Sequence, residues 1–122
     1  MSRLRLVETQ SGRCLMEDVT PAVRVMQRFL GLMGRSTLAP GTGMYFPRCS
    51  SIHMFFMRFP IDAVYLDKAG RVRKIVRGLK PWRLSWCPGG DSVLEAPAGW
   101  AQQVGLDVGM QVAFEETAEA RR

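Results

Sequence analysis

The chain has 122 residues, 47% of them hydrophobic and 23% charged, with a formal net charge of +6. Those values fit one soluble globular domain that buries its own core, and no apolar run approaches the ~20 residues that a membrane-spanning helix needs. The opening residues, Met1-Ser2-Arg3-Leu4-Arg5-Leu6-Val7-Glu8, alternate polar and apolar and lack a signal-peptide core, so a cytoplasmic location is expected.

Leu4 and Leu6 alternate with arginines, Thr9-Gln10-Ser11-Gly12 carries turn chemistry, and Arg13 to Val19 is again extended; together they predict a hairpin. Thr20-Pro21 predicts a helix start, with threonine as N-cap and proline at the first helical position. Val23, Met26, Leu30 and Met33 follow at helical spacing, so a short amphipathic helix is expected over residues 21–30, fraying at Gly31 and Gly34. Pro40-Gly41 marks a turn and Gly43-Met44-Tyr45-Phe46 a short strand ended by Pro47.

Residues 51–67 form the longest apolar run, and they read as two strands joined at Pro60. Side chains alternate across a strand, which sets Ile52, Met54 and Phe56 on one face and His53, Phe55, Met57 and Phe59 on the other. With both faces apolar, a central, doubly covered strand is expected. Beyond Pro60, Ile61, Ala63 and Tyr65 face one way while Asp62, Val64 and Leu66 face the other. Asp62 therefore stands in line with apolar neighbours, which makes it the most informative charge in the chain.

Asp67-Lys68-Ala69-Gly70 predicts a tight turn and Arg71 to Val76 a strand. Leu79 to Trp86 is expected to be irregular, with Trp82 and Trp86 packed down on the core. After a Cys87-Pro88-Gly89-Gly90 loop come a strand over Ser92 to Ala96, a turn at Pro97-Ala98-Gly99, one or two helical turns over Trp100 to Val104, and a closing strand over Met110 to Glu115. The fold class that follows is mainly β: a single-domain antiparallel sandwich or barrel of about eight short strands with one or two short helices. It is expected to span residues 1–116, with residues 117–122 as a charged tail.

Four segments occur in an order seen in one family: Gly31-Leu32-Met33-Gly34-Arg35, Gly43-Met44-Tyr45-Phe46, Phe55-Phe56-Met57-Arg58-Phe59-Pro60-Ile61-Asp62, and Val93-Leu94-Glu95-Ala96-Pro97-Ala98-Gly99. Over residues 3 to 115 the chain resembles the domain-of-unknown-function 192 family, an uncharacterised protein family. The resemblance implies a compact, mostly β domain of sandwich or barrel type and no established activity. The family commonly has Gly-Asp near the last strand, where this chain has Gly109-Met110, and tryptophan where Phe56 stands. Its members often carry an export signal that does not transfer to this chain.

Two carboxylates stand in apolar strands, Asp62 and Glu95. Sharing one cavity, they would repel unless a cation intervened or one took up a proton. Arg35 and Arg58 are the candidate cations. The expected site is thus a half-buried polar cluster of Asp62, Glu95, Arg35 and His53 beside a pocket lined by Met33, Met44 and Met57. It would bind a small polar ligand or, alternatively, run hydrolase-like or isomerase-like acid–base chemistry. In a purely structural role, Asp62 would accept amides from the loop before residue 43 and Glu95 would pair with an arginine. The lead expectation is a non-catalytic ligand-binding or accessory domain whose partner is a small molecule or a protein.

Arg71, Arg73, Lys74, Arg77, Lys80 and Arg83 lie in a stretch without acids, either as a solvated strand edge or as a surface for an anionic partner. Nucleic acid is the lesser candidate, since the further signals of nucleic-acid modules are absent. Cys14, Cys49 and Cys87 are odd in number and lack CxxC spacing, so reduced thiols are expected rather than disulfides or a zinc site. No cofactor or metal is expected. The glycines at 31, 34, 41 and 43 lack the lysine of a phosphate loop, and the eight methionines read as core filling.

Overall fold

A computed structural model describes residues 4–21, 38–54 and 58–117. The helix expected over residues 21–30, apart from Pro21, lies outside the described residues, as does the tail from residue 118. The strands are β1 (Leu4–Glu8), β2 (Cys14–Pro21), β3 (Thr42–Phe46), β4 (Ser51–His53), β5 (Ile61–Leu66), β6 (Val72–Leu79), β7 (Leu84–Trp86), β8 (Ser92–Pro97) and β9 (Val112–Glu116). One short helix, α1 (Trp100–Gln103), precedes β9.

Seven strands make one sheet in the order β6-β5-β8-β3-β2-β1-β9, and β4 and β7 pair separately. The large sheet curls into a half-barrel. Its two edges meet at a single corner. There Arg71 bridges Gln111, the Val72 N–H donates to the Met110 carbonyl at 2.8 Å, and the Val112 N–H donates to the Gly70 carbonyl at 2.9 Å. Gly70 has a φ of 84°, and a Cβ there would lie 2.5 Å from the Val112 carbonyl oxygen, so only glycine lets the edges approach. Tyr45 of β3 meets Phe114 of β9 with ring centroids 4.2 Å apart, although two strands separate them in the sheet.

The mainly β expectation holds, with two differences in detail. Pairing is not wholly antiparallel, because β2 and β3 run parallel with Thr20 beside Met44 and Pro21 beside Tyr45. The long connection between them supplies the crossover that parallel strands require. Thr20 and Pro21 consequently extend β2 rather than start a helix, and Pro21, lacking an amide donor, takes the strand's last position. In addition, the run over residues 51–67 does not supply two strands of one sheet: β5 is the doubly covered strand, whereas β4 pairs with β7 outside it.

Both faces of the β3–β8–β5 region are covered. Inside the curl lie Leu6, Leu15, Val19, Val64, Leu66, Leu94, Ala96 and Trp100. The outer face carries Met44, Phe46, Ile61, Ala63, Tyr65 and Val93 under Met54, Phe59 and Cys87. Trp100 closes the inner core, its indole N–H donating to the Leu15 carbonyl at 3.0 Å. No helix among the described residues is long and apolar enough to cross a membrane.

Candidate functional site

Alternation along β5 and β8 decides where the two carboxylates go. Asp62 sits opposite Ala96 and shares the inner face with Val64; Glu95 sits opposite Ala63 and Met44 and shares the outer face with Val93. Cross-strand partners point to the same side of a sheet, so the two acids project from opposite faces. The expected Asp62–Glu95 cluster is corrected by this register: no single cavity holds both.

Asp62 is fully buried and both of its oxygens accept backbone amides. Oδ1 takes the Gly78 N–H and Oδ2 the Ala101 N–H, each at 2.9 Å. The Gly78 amide is free because β6 slips its register against β5 between Leu79 and Val76, and Gly78 has a φ of 64°, as in a glycine bulge. The Ala101 amide is free because it lies in the first turn of α1, whose N-cap, Gly99, offers no side-chain cap. One carboxylate thus ties β5 to the bulge of β6 and to the start of α1. These donors are not the amides before residue 43 that the sequence suggested.

Glu95 differs: it is 7% exposed, and among the described residues no hydrogen bond or ion pair to its carboxyl is found, Arg58 included. Desolvation pushes its carboxyl up to about 8, from an ordinary value of 4.5. Near neutral pH the group is therefore mostly protonated and can donate as well as accept. Met44 and Ala63 flank it on either side. Tyr65, on the same face, donates its hydroxyl to Ser85 Oγ at 3.0 Å, a buried bond that ties the large sheet to β7. Burial raises the Tyr65 phenol, with Cys49, Cys87 and Glu95 adding to the rise and the Ser85 bond opposing it. Cys87 is buried and Cys49 half-buried, both as free thiols.

Of the other expected site residues, Met44 lies beside Glu95, while His53 and Arg58 are exposed. Arg35, Met33 and Met57 lie outside the described residues. Among the described residues, no three His, Cys, Asp or Glu side chains converge as a metal site. All six basic residues of the Arg71–Arg83 stretch are exposed, and β6 is an edge strand, where charge discourages pairing with other chains. Arg71 donates to the Gly109 carbonyl, Lys74 to Trp86 and Arg77 to Leu106, which commits half of them to the molecule's own backbone.

Sequence reasoning missed Tyr65 and Ser85, and placed Trp82 and Trp86 wrongly. Residues 84–86 are a strand whose single buried residue is Ser85, so Leu84 and Trp86 point outward. Trp82 is 58% and Trp86 60% exposed rather than packed on the core. The Leu-Ser-Trp alternation was a usable signal for a strand, but alternation alone does not say which parity is inside.

Residues 6–114 match the family described as Uncharacterized ACR, DUF192. The chain belongs to this family. A relative, a UPF0127 protein from Thermococcus sibiricus, is 29% identical over 119 residues, covering 93% of this chain and 77% of that one. A crystal structure from Sinorhizobium meliloti, of a protein described as a candidate transcription regulator, superposes with a TM-score of 0.77 at 30% identity, covering 93% and 92% of the two chains. A protein of unknown function from Novosphingobium aromaticivorans shares the fold, with a TM-score of 0.75 at 23% identity and coverage of 91% and 83%.

Proposed function

We propose that the chain is a small-ligand-binding accessory domain whose site centres on Glu95 on the outer face of the sheet. The observation that carries this reading is a carboxyl set among apolar side chains, raised to about 8 by burial, with no hydrogen bond or ion pair to it among the described residues. Buried polar groups are nearly always satisfied, and leaving one unsatisfied costs free energy that a bound molecule would recover. A protonated Glu95 donates to a carbonyl or hydroxyl oxygen. Met44 and Phe46 on β3 and Met54 beside them supply the apolar contacts that a ligand's body needs, and flexible methionines adapt to its shape. The ligand class that fits is a small neutral molecule with one polar acceptor on an apolar frame.

Acid–base chemistry by a carboxylate pair draws no support, because Asp62 faces away and both its oxygens are occupied. Asp62 and Arg58 consequently drop out of the binding reading, while Glu95 and Met44 stay in it.

A thermal-shift screen of neutral metabolites tests the proposal, since a ligand of the folded state raises the melting temperature by mass action. The expected hit stabilises the wild type and loses its effect in Glu95→Leu. Hits that shift Glu95→Leu equally, or a screen in which every compound leaves the wild type unchanged, would overturn it.

A further inference from the structure

Four large hydrophobic side chains stand exposed among the described residues, and three of them, Trp82 at 58%, Leu84 at 58% and Trp86 at 60%, fall within five positions. The local backbone holds them out. In β7, Ser85 faces inward to receive the Tyr65 hydroxyl, and a shift of one residue would bury Leu84 and Trp86 in its place. The fold buries a serine and leaves the two larger apolar side chains outside, which packing alone does not favour.

Trp82 is presented by a second device. The Arg83 N–H donates back to the Lys80 carbonyl, closing a turn with Pro81 and Trp82 at its centre. Trp82 has a φ of 68°, the left-handed conformation that this turn position normally reserves for glycine. The Trp82 N–H donates to the Met54 carbonyl and the Met54 N–H to the Arg83 carbonyl, both at 2.8 Å, so the turn is fixed to the end of β4. A strained position filled by a large aromatic residue that then points to solvent is a recurring mark of function.

Charge decides what such a face would meet. Lys80 and Arg83 flank Trp82 in sequence and are exposed, and Lys74 reaches over to donate to the Trp86 carbonyl at 2.7 Å. No acidic residue occurs from Lys68 to Gly90. We propose that Trp82, Leu84 and Trp86 form an anchor that docks the protein on an anionic lipid surface, with Lys74, Lys80 and Arg83 at the headgroups. Tryptophan suits the boundary between water and acyl chain, having a large apolar ring and a polar N–H. Leu84, in the middle of the patch, offers no flat face for a nucleobase to stack on but inserts readily among acyl chains. The reading is independent of the Glu95 site, since Ser85 faces inward to Tyr65 while Leu84 and Trp86 stand on the outward side of β7.

Vesicle co-sedimentation decides the matter, using phosphatidylcholine alone and phosphatidylcholine with about 30% phosphatidylserine. The full chain is expected to bind the anionic vesicles at least about tenfold more tightly, with a blue shift of tryptophan emission and weakening as salt rises. Trp82→Gly suits the turn better than tryptophan, so it keeps or raises the melting temperature while binding falls about tenfold. Trp86→Ser is expected to weaken binding similarly, and Lys80→Glu with Arg83→Glu to remove the preference for anionic vesicles. Failure of the wild type to bind, equal binding to both vesicle types, or undiminished binding by Trp82→Gly would each overturn the proposal. So would a single-stranded oligonucleotide that binds more tightly than the anionic vesicles and depends on the same tryptophans.

Discussion

Asp62 and Glu95 occupy neighbouring strands of one sheet, in segments where every surrounding position is buried, yet the two faces treat them differently. On the inner face Asp62 meets two amides that the backbone itself leaves free, one at a bulge and one at a helix start. On the outer face Glu95 meets Met44, Ala63 and no donor among the described residues, and burial raises its carboxyl. Burial of a carboxylate is thus neither stabilising nor functional in itself. The supply of hydrogen-bond donors separates a structural acid from one that awaits a partner.

The largest effect that would break this contrast concerns Asp62. Replacing it with alanine strands the Gly78 and Ala101 amides in the core and is expected to cost about 2–5 kcal/mol. Asp62→Asn keeps one acceptor but turns its NH2 toward the other amide, for a loss of about 1–3 kcal/mol. Chemical denaturation measures both. If either variant matched the wild type, the carboxylate would not be what joins β5, β6 and α1.

Glu95 predicts a pH dependence of opposite sense to that of a stabilised carboxylate. Its folded value, about 8, lies above its ordinary 4.5, so the folded state holds the proton more tightly. Its contribution is full below about pH 4.5, declines as the unfolded chain alone ionises, and is gone once pH passes about 8. The span amounts to a few kcal/mol at most. Denaturation midpoints of the wild type should fall between pH 5 and pH 8, the window between the ordinary and the folded ionisation values, while Glu95→Gln should lack this part of the slope. A slope that is identical in both proteins would place the titration elsewhere. Glu95→Leu sharpens the contrast further. Exchanging this buried carboxyl, which finds no donor among the described residues, for an apolar side chain should raise stability near pH 8 by about 1–3 kcal/mol, whereas the same exchange at Asp62 should lower it.

Much of this arrangement was legible before the strands were paired. The β1–β2 hairpin, the Asp67–Gly70 turn and the alternation that sets Asp62 with Val64 and Leu66 all follow from local patterning. In the turn, Asp67 Oδ1 accepts the amides of Ala69 and Arg71, the local bonding that an aspartate at that position favours. The relation between Asp62 and Glu95 was not legible, because each strand reveals its own parity but not its partner's. Pairing Ala63 with Glu95 instead of Asp62 with Glu95 is a one-residue matter, and it sends the acids to opposite faces. The same ambiguity hid Trp86, since Leu-Ser-Trp reads equally well with the serine in or out. Asp62's amide partners were invisible for a different reason: bulges and helix starts expose donors only once the chain has folded.

The smallest expected effect tests the outer face from its other side. Ser85→Ala removes the acceptor of the Tyr65 hydroxyl and leaves that hydroxyl buried, at a cost of about 1–2 kcal/mol. The ionisation of Tyr65 supplies a second readout. The Ser85 bond lowers the phenol's value against the rise caused by burial, so its loss should move the alkaline titration followed by ultraviolet absorbance to still higher pH. Glu95→Gln should move the same titration the other way, because a nearby carboxylate opposes phenolate formation. Opposite shifts in the two variants would place Glu95, Tyr65 and Ser85 in one electrostatic neighbourhood on the outer face. A phenol indifferent to Glu95 would separate the buried carboxyl from the bond that fastens β7 to the sheet, leaving each to be explained alone.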